Sequence, residues 1–199
     1  MNRVLAIVAL LMFVAVSPFA QTAAPFTPAS PAQAAAPAGP TDPLSRLLFN
    51  AYNTAKLNTM QSAEKVSEAD YAFQPTKEVM TFAQMLGHVS NSQFSYCAAA
   101  KGEPNPNKDD FQKNATTKAA VQKALAEVFA YCDPVYGTMT DARAMELITS
   151  GTSQVPRAGR LIGNLTHVNE HYGNLVTYMR IKGYVPPSTE RAQQQQQKK

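Results

Sequence analysis

The sequence predicts an all-α protein, a bundle of four long helices. Apolar residues recur at spacings of three and four in four separate stretches, the mark of a helix with one buried face. No segment shows the apolar/polar alternation of a half-buried strand. The breaks between the stretches fall on proline, glycine and charged residues, where helices end. At 199 residues the chain has room for one ordinary core.

The first 20 residues stand apart. Arg3 precedes an apolar run over residues 4–16, and Ser17, Pro18 and Ala20 follow it. A basic start, an apolar run and small residues, in that order, read as a secretory signal peptide. The run is shorter than the roughly 20 apolar residues that cross a bilayer; the alternative is an uncleaved N-terminal anchor. The expected location is periplasmic or secreted, with no membrane contact beyond the export signal. Residues 21–40 are rich in proline and alanine and carry no charge, which predicts a disordered linker. The helical domain is expected over residues 41–189. Residues 190–199 form a Gln/Lys tail, expected to be disordered.

The first helix is expected over residues 43–66. Thr41 and Asp42 stand at its cap, and Pro43 takes the first helical position, where its missing N–H costs nothing. Leu44, Leu47, Leu48, Ala51, Tyr52 and Ala55 then keep helical spacing. Residues 67–80 hold Pro75, Tyr71 and Phe73 and read as a partly packed connection. The second helix, residues 81–100, aligns Phe82, Met85, Leu86, Val89 and Tyr96, with His88 roughly 110° from the middle of that stripe. Residues 101–114 read as a loop long enough for a crossover. The third helix runs from about residue 115 to 131 on Val121, Leu125, Val128 and Phe129, and Cys132-Asp133-Pro134 is expected to end it. A short helix is expected over residues 141–149, with Gly151 and Pro156 bracketing the break after it. The fourth helix, residues 157–182, is the most regular. Leu161, Leu165, Val168, Tyr172, Leu175 and Met179 form a bundle seam, stopped by Gly183 and by Pro186 and Pro187.

Charge excludes one class of partner. Of 18 basic residues, Arg3, Arg191, Lys198 and Lys199 lie outside the body, and of 14 acidic residues Glu190 does, which leaves 14 against 13. A near-neutral body without a dense Lys/Arg face offers no electrostatic footprint for nucleic acid.

Cys97 and Cys132 are the only cysteines. In an exported protein two cysteines most often pair, the alternative being two buried thiols. Both lie near the C-terminal ends of their predicted helices. In an up-down-up-down bundle those ends would sit at opposite poles, beyond disulfide reach. Pairing therefore predicts parallel second and third helices and an up-down-down-up order.

The chain has three histidines, His88, His167 and His171. Side chains four apart on a helix share one face, about 6 Å from each other, so His167 and His171 can meet one cation. Both lie to one side of the fourth helix's seam, as His88 does on the second helix. If the two rims face each other, three imidazoles converge and leave a metal position open, the arrangement of catalytic sites. The plainer reading of each histidine alone is a surface or hydrogen-bonded side chain. What favours a metal is that the entire histidine supply sits at compatible helical positions.

Three segments carry a family resemblance: ADYAFQPT before the second helix, EVMTFAQMLGHVSNSQFSYC within it, and THVNEHYGNLVTYMRIKGYVPPST at the fourth. Together they resemble the DinB-like (DinB/YfiT-like) metalloenzyme superfamily over residues 42–189. The resemblance implies an up-down-down-up four-helix bundle and a divalent metal, Zn or Ni, on His88, His167 and His171. It also implies either thiol-dependent transfer or metal-dependent hydrolysis, acting on a small molecule that the sequence does not identify. Export argues against the first, because low-molecular-weight cytosolic thiols are scarce outside the cell. The second needs a general base, and Glu170, next to the ligands in sequence, faces about 100° from His171. Asn91, Tyr172, Asn174 and Tyr178 are candidate supporting groups. The competing reading is a non-enzymatic metal-binding or stress-associated module. Bundles of this kind often pair, so a homodimer is a further expectation.

Overall fold

A computed structural model describes residues 39–198. The expected signal peptide, and the linker as far as residue 38, lie outside the described residues. In chain order the elements are α1 (Pro43–Lys65), a 3-10 turn (Glu68–Ala72), α2 (Phe82–Lys101), the one-turn α3 (Phe111–Asn114), α4 (Lys118–Gly137), α5 (Asp141–Met145), strands β1 (Leu147–Ser150) and β2 (Ser153–Pro156), α6 (Arg157–Ile181) and α7 (Pro187–Gln197). The core lies between the four long helices α1, α2, α4 and α6, as the apolar spacing predicts. Leu86, Val121, Leu125, Val128, Leu161, Leu175 and Met179 are all essentially solvent-free within it.

Pairwise contacts give the helix directions. Phe94 meets Tyr131, Cys97 is bonded to Cys132, and Ala100 lies with Val135, so α2 and α4 advance together. Tyr52 packs on Tyr136, while Glu64 and Leu125 lie together farther along, so α1 runs against α4. Arg157 reaches Ala100 while Tyr178 reaches Met80, so α6 runs against α2. The Cys97–Cys132 disulfide ties the parallel pair together, with both sulfurs out of contact with solvent. No described helix is long and apolar enough to cross a membrane.

Helix ends follow local chemistry. Thr81 and Gln84 close a reciprocal capping box on α2. At the end of α6, Gly183 takes φ +81°, while Tyr184 N–H donates to the Met179 carbonyl at 2.8 Å and Gly183 N–H to that of Arg180 at 3.0 Å. At α1 the expected cap is exchanged with a neighbour. The Asp141 carboxylate accepts from Ser45 N–H (2.7 Å) and Leu44 N–H (3.2 Å), and Asp42 Oδ2 accepts from Asp141 N–H (2.9 Å).

Four expectations need correction. α4 does not stop at Cys132–Pro134; it passes through Pro134 to Gly137. An interior proline costs about 3 kcal/mol. Carrying on buries Val135 and Tyr136, each worth about 1.5–3 kcal/mol, and Tyr136 stacks on Tyr52 with ring centroids 4.1 Å apart. The 101–114 loop contains α3, too short for a periodic signal. The stretch expected as helix to residue 149 is helical only to Met145, and a hairpin follows, Ser150 pairing with Ser153. Its two-residue turn has Gly151 at φ +60° and Thr152 at a negative φ, the type II′ pattern. Finally, the tail is helical to Gln197. Pro187 starts it, glutamine is a good helix former, and side chains hold it to α1: Arg191 donates to Gln61 (2.8 Å) and Asn58, and Lys65 pairs with Glu190.

A carboxylate also links the exit of α1 to the end of α6. Asp70 accepts from Lys182 Nζ (2.8 Å), Tyr184 Oη (2.7 Å) and Ser67 Oγ (3.0 Å). The Lys182 bond foremost, then that of Tyr184, holds its pKa down at about 2. A depressed carboxylate stabilises the fold above its unfolded pKa, near 4, and loses that contribution as pH falls toward 2. Asp70→Asn is therefore expected to lower the urea midpoint at pH 7, with the gap to the parent closing between pH 4 and pH 2. A gap of unchanged size at pH 2 would show that the charge does not carry it.

Candidate metal centre

The three histidines come together on the facing rims of α2 and α6. His167 sits in the middle, its Nε2 being 3.1 Å from His88 Nε2 and 3.2 Å from His171 Nε2. All three ligand atoms lie within 4.8 Å of one another. Two nitrogens bound to one ion at about 2.05 Å in a tetrahedral arrangement stand about 3.3 Å apart, so the observed spacing suits a shared cation. His171 is 9% exposed and the other two are half-buried.

The local sequence explains the convergence. His167 and His171 are one turn apart on α6, and Val168 and Tyr172 beside them are buried in the bundle, which turns the histidine edge toward α2. On α2 the residue before His88 is Gly87. A Cβ there would lie 2.4 Å from the Phe111 carbonyl oxygen, so only glycine lets the α3 backbone rest on α2. Asn91 fixes α3 from the other side: its Oδ1 accepts from Phe111 N–H (3.1 Å) and its Nδ2 donates to Asp110 (3.0 Å).

That seating brings Gln112 to the site. Gln112 Oε1 lies 3.0 Å from His88 Nδ1, so the Nδ1–H donates and Nε2 is left as a bare lone pair facing the other histidines. Gln112 is itself held by Met80: its Nε2 lies 3.4 Å from the Met80 sulfur, and Tyr178 Oη donates to the Met80 carbonyl (2.9 Å). Burial first, then the neighbouring histidines, pushes the His167 pKa down to about 4, with Glu170 pulling weakly the other way. Burial and then His88 lower that of His171. Neutral imidazoles are the form that ligates metal. Three Nε2 atoms converge, and a single Nε2–H on His167 could satisfy only one of the two close contacts. The donor set therefore fits a divalent cation.

Of the other candidates, Asn91 supports the site through α3 and Tyr178 through Met80. Tyr172 donates to Ser188 (2.8 Å) and anchors α7, while Asn174 and Glu170 are exposed. Sequence reading missed Gln112, which stands in a polar loop with no periodic signal. Gln112→Ala is expected to weaken Zn affinity about 10–100-fold. Gly87→Ala, which lifts α3 from α2, is expected to do the same, and competition against a chelator measures both. Unchanged affinity in both variants would remove Gln112 from the site. A cleft of about 500 Å³ lies under α3 along α4 and includes none of the histidines.

A sequence profile of the DinB superfamily matches residues 51–175, more than half the chain and inclusive of all three histidines. The chain belongs to the DinB superfamily. Solved structures of similar fold include a DinB-like protein from Bacillus cereus ATCC 10987, 13% identical with a TM-score of 0.61, covering 70% of this chain and 93% of that one. A DinB-like protein from Bacillus subtilis is 20% identical with a TM-score of 0.51 over the same shares, 70% and 93%. A mycothiol-dependent maleylpyruvate isomerase is 16% identical with a TM-score of 0.52, covering 67% of this chain and 60% of that one. No curated protein matches the chain. At these identities the likeness establishes the DinB fold, and the chemistry rests on the site itself.

Proposed function

We propose that this DinB-superfamily chain is an exported metal-dependent enzyme whose His88, His167 and His171 hold one divalent cation, Zn or Ni. The observation that carries the reading is the convergence of three Nε2 atoms, with one ring oriented from behind by Gln112. A cation there would supply Lewis acidity, polarising a carbonyl or lowering the pKa of a water or thiol. The residues supply the rest. Three protein ligands leave coordination open, and Gln112 holds one tautomer. The low pKa of His167 keeps that ring neutral at physiological pH.

Two chemistries suit such a centre, hydrolysis and thiol-type transfer; the isomerase of similar fold is thiol-dependent by name. Hydrolysis is the better supported, because the N-terminal 20 residues read as an export signal and the Cys97–Cys132 disulfide suits an oxidising compartment. One observation favours the second reading, a metal-binding module without catalysis: among the described residues, no carboxylate is hydrogen-bonded to the three histidines. The test is a panel of ester, amide and lactone substrates given to the Zn- and Ni-loaded full chain, with and without a chelator. Metal-dependent turnover supports the enzyme. A loaded protein inert across the panel, and inert again with added thiols, supports the module.

A further inference from the structure

Beside the histidines a cleft of 330 Å³ runs between α2 and α6, lined by Ser92, Ser95, Tyr96, Ala99, Arg160 and His167. We infer that this cleft binds a small organic anion, with Arg160 holding a carboxylate at one end while the reacting group meets the histidine centre at the other. The inference rests on the metal reading above and names the class of substrate for that site.

The cleft is built into the helix faces. Positions 88, 92, 95/96 and 99 form one stripe of α2, and positions 160, 163/164, 167 and 171 form the facing stripe of α6. The histidines occupy one end of both stripes and Arg160 the other. Small side chains at Ser92, Ser95 and Ala99 leave the space of the cleft unfilled. Gly163 does the reverse for Tyr96: a Cβ at 163 would stand 2.9 Å from the Tyr96 ring, so glycine lets that ring lie against α6. The Tyr96 centroid is then 6.0 Å from that of His167, making an aromatic wall between the centre and the far end.

Arg160 is the unusual member. Its Nε is buried and has no hydrogen-bond partner, and among the described residues its guanidinium makes no ion pair. Arg157, three residues earlier, also leaves its Nε without a partner, but its two terminal nitrogens are both satisfied, one donating to the Ala100 carbonyl and the other to Glu146 at 2.9 Å. A buried donor without an acceptor is costly, and Arg160 lines the cleft without a protein acid paired to it among the described residues. A planar guanidinium pairs with a carboxylate through two parallel hydrogen bonds, and the Ser92 and Ser95 hydroxyls line the same cleft and can add more. Seven residues along α6 separate Arg160 from His167, about 10 Å on the helix axis. The ligand thus carries its carboxylate several bonds away from the group at the centre, and the cleft volume suits a small molecule of that length.

The test is calorimetric titration of the Zn-loaded full chain and its Arg160→Gln and Arg160→Lys variants. One probe is imidazole, which engages the open metal position alone. The others are straight-chain dicarboxylates from succinate to suberate. Imidazole is expected to bind all three proteins equally. At least one dicarboxylate is expected to bind the parent tenfold or more tighter than Arg160→Gln, with Arg160→Lys between them. If imidazole binds but no dicarboxylate distinguishes parent from Arg160→Gln, the anion site is overturned and the metal centre stands. If no protein retains Zn and imidazole fails throughout, the metal reading is overturned and this inference with it.

Discussion

Replacing His167 with alanine is expected to abolish stoichiometric metal binding while leaving the bundle folded. His167 is the middle ligand, its Nε2 within 3.1–3.2 Å of both partners. Removing it leaves His88 and His171 as a pair on two helices. Loss of a supporting group behind a ligand already costs about 10–100-fold in affinity, so loss of the central ligand should cost more than a hundredfold. The fold should tolerate the change, because His167 lies half-buried on the rim of α6 and the seam of Leu161, Leu165, Val168, Tyr172, Leu175 and Met179 is untouched. The metal-free variant should therefore melt within a few degrees of the metal-free parent, and only the parent should gain stability when Zn is added. Elemental analysis after dialysis against a chelator, together with circular dichroism melts, checks both halves. A variant that keeps one ion per chain would place the metal elsewhere.

The second large effect is expected from the disulfide. Cys97 and Cys132 close a loop with a sequence separation of 35 between two parallel helices. On the chain-entropy account a loop of that size contributes about 4 kcal/mol, which for a domain near 150 residues corresponds to a melting temperature lower by roughly 10 °C. The Cys97→Ala/Cys132→Ala protein should show that loss. The parent in strong reductant should approach the same value, and the variant should be indifferent to reductant. The chain has no tryptophan, so far-UV circular dichroism is the natural probe. Equal melting of parent and variant would show that the parallel helices are held by packing alone.

What was legible in the sequence had strong periodicity or rare residues behind it. The four long helices follow from apolar spacing that survives into the core. The histidine cluster was readable because His167 and His171 are one turn apart and His88 sits on a matching rim. The parts that escaped depend on contacts between distant segments. Pro134 reads as a stop, yet burial of Val135 and Tyr136 beyond it outweighs the broken helical bond. Residues 190–199 read as a polar tail, yet Arg191 and Glu190 find partners on α1 that no local pattern announces. Gln112 is invisible in a loop of charged and turn residues, and it reaches His88 only because Gly87, 25 positions earlier in the chain, lets α3 approach. Arg160 looks like any surface arginine of a helix until the partners of the terminal nitrogens of Arg157 are set beside its own, which have none among the described residues.

The central claim is that one divalent cation is held by three imidazole nitrogens with coordination to spare. X-ray absorption at the metal edge of the Zn-loaded full chain tests it most directly. The expected spectrum has a nitrogen/oxygen shell at about 2.0–2.1 Å, outer-shell scattering from three imidazole rings, and one light ligand that imidazole or a small anion displaces. A spectrum without imidazole outer shells, or one unchanged in the His167→Ala protein, would contradict it.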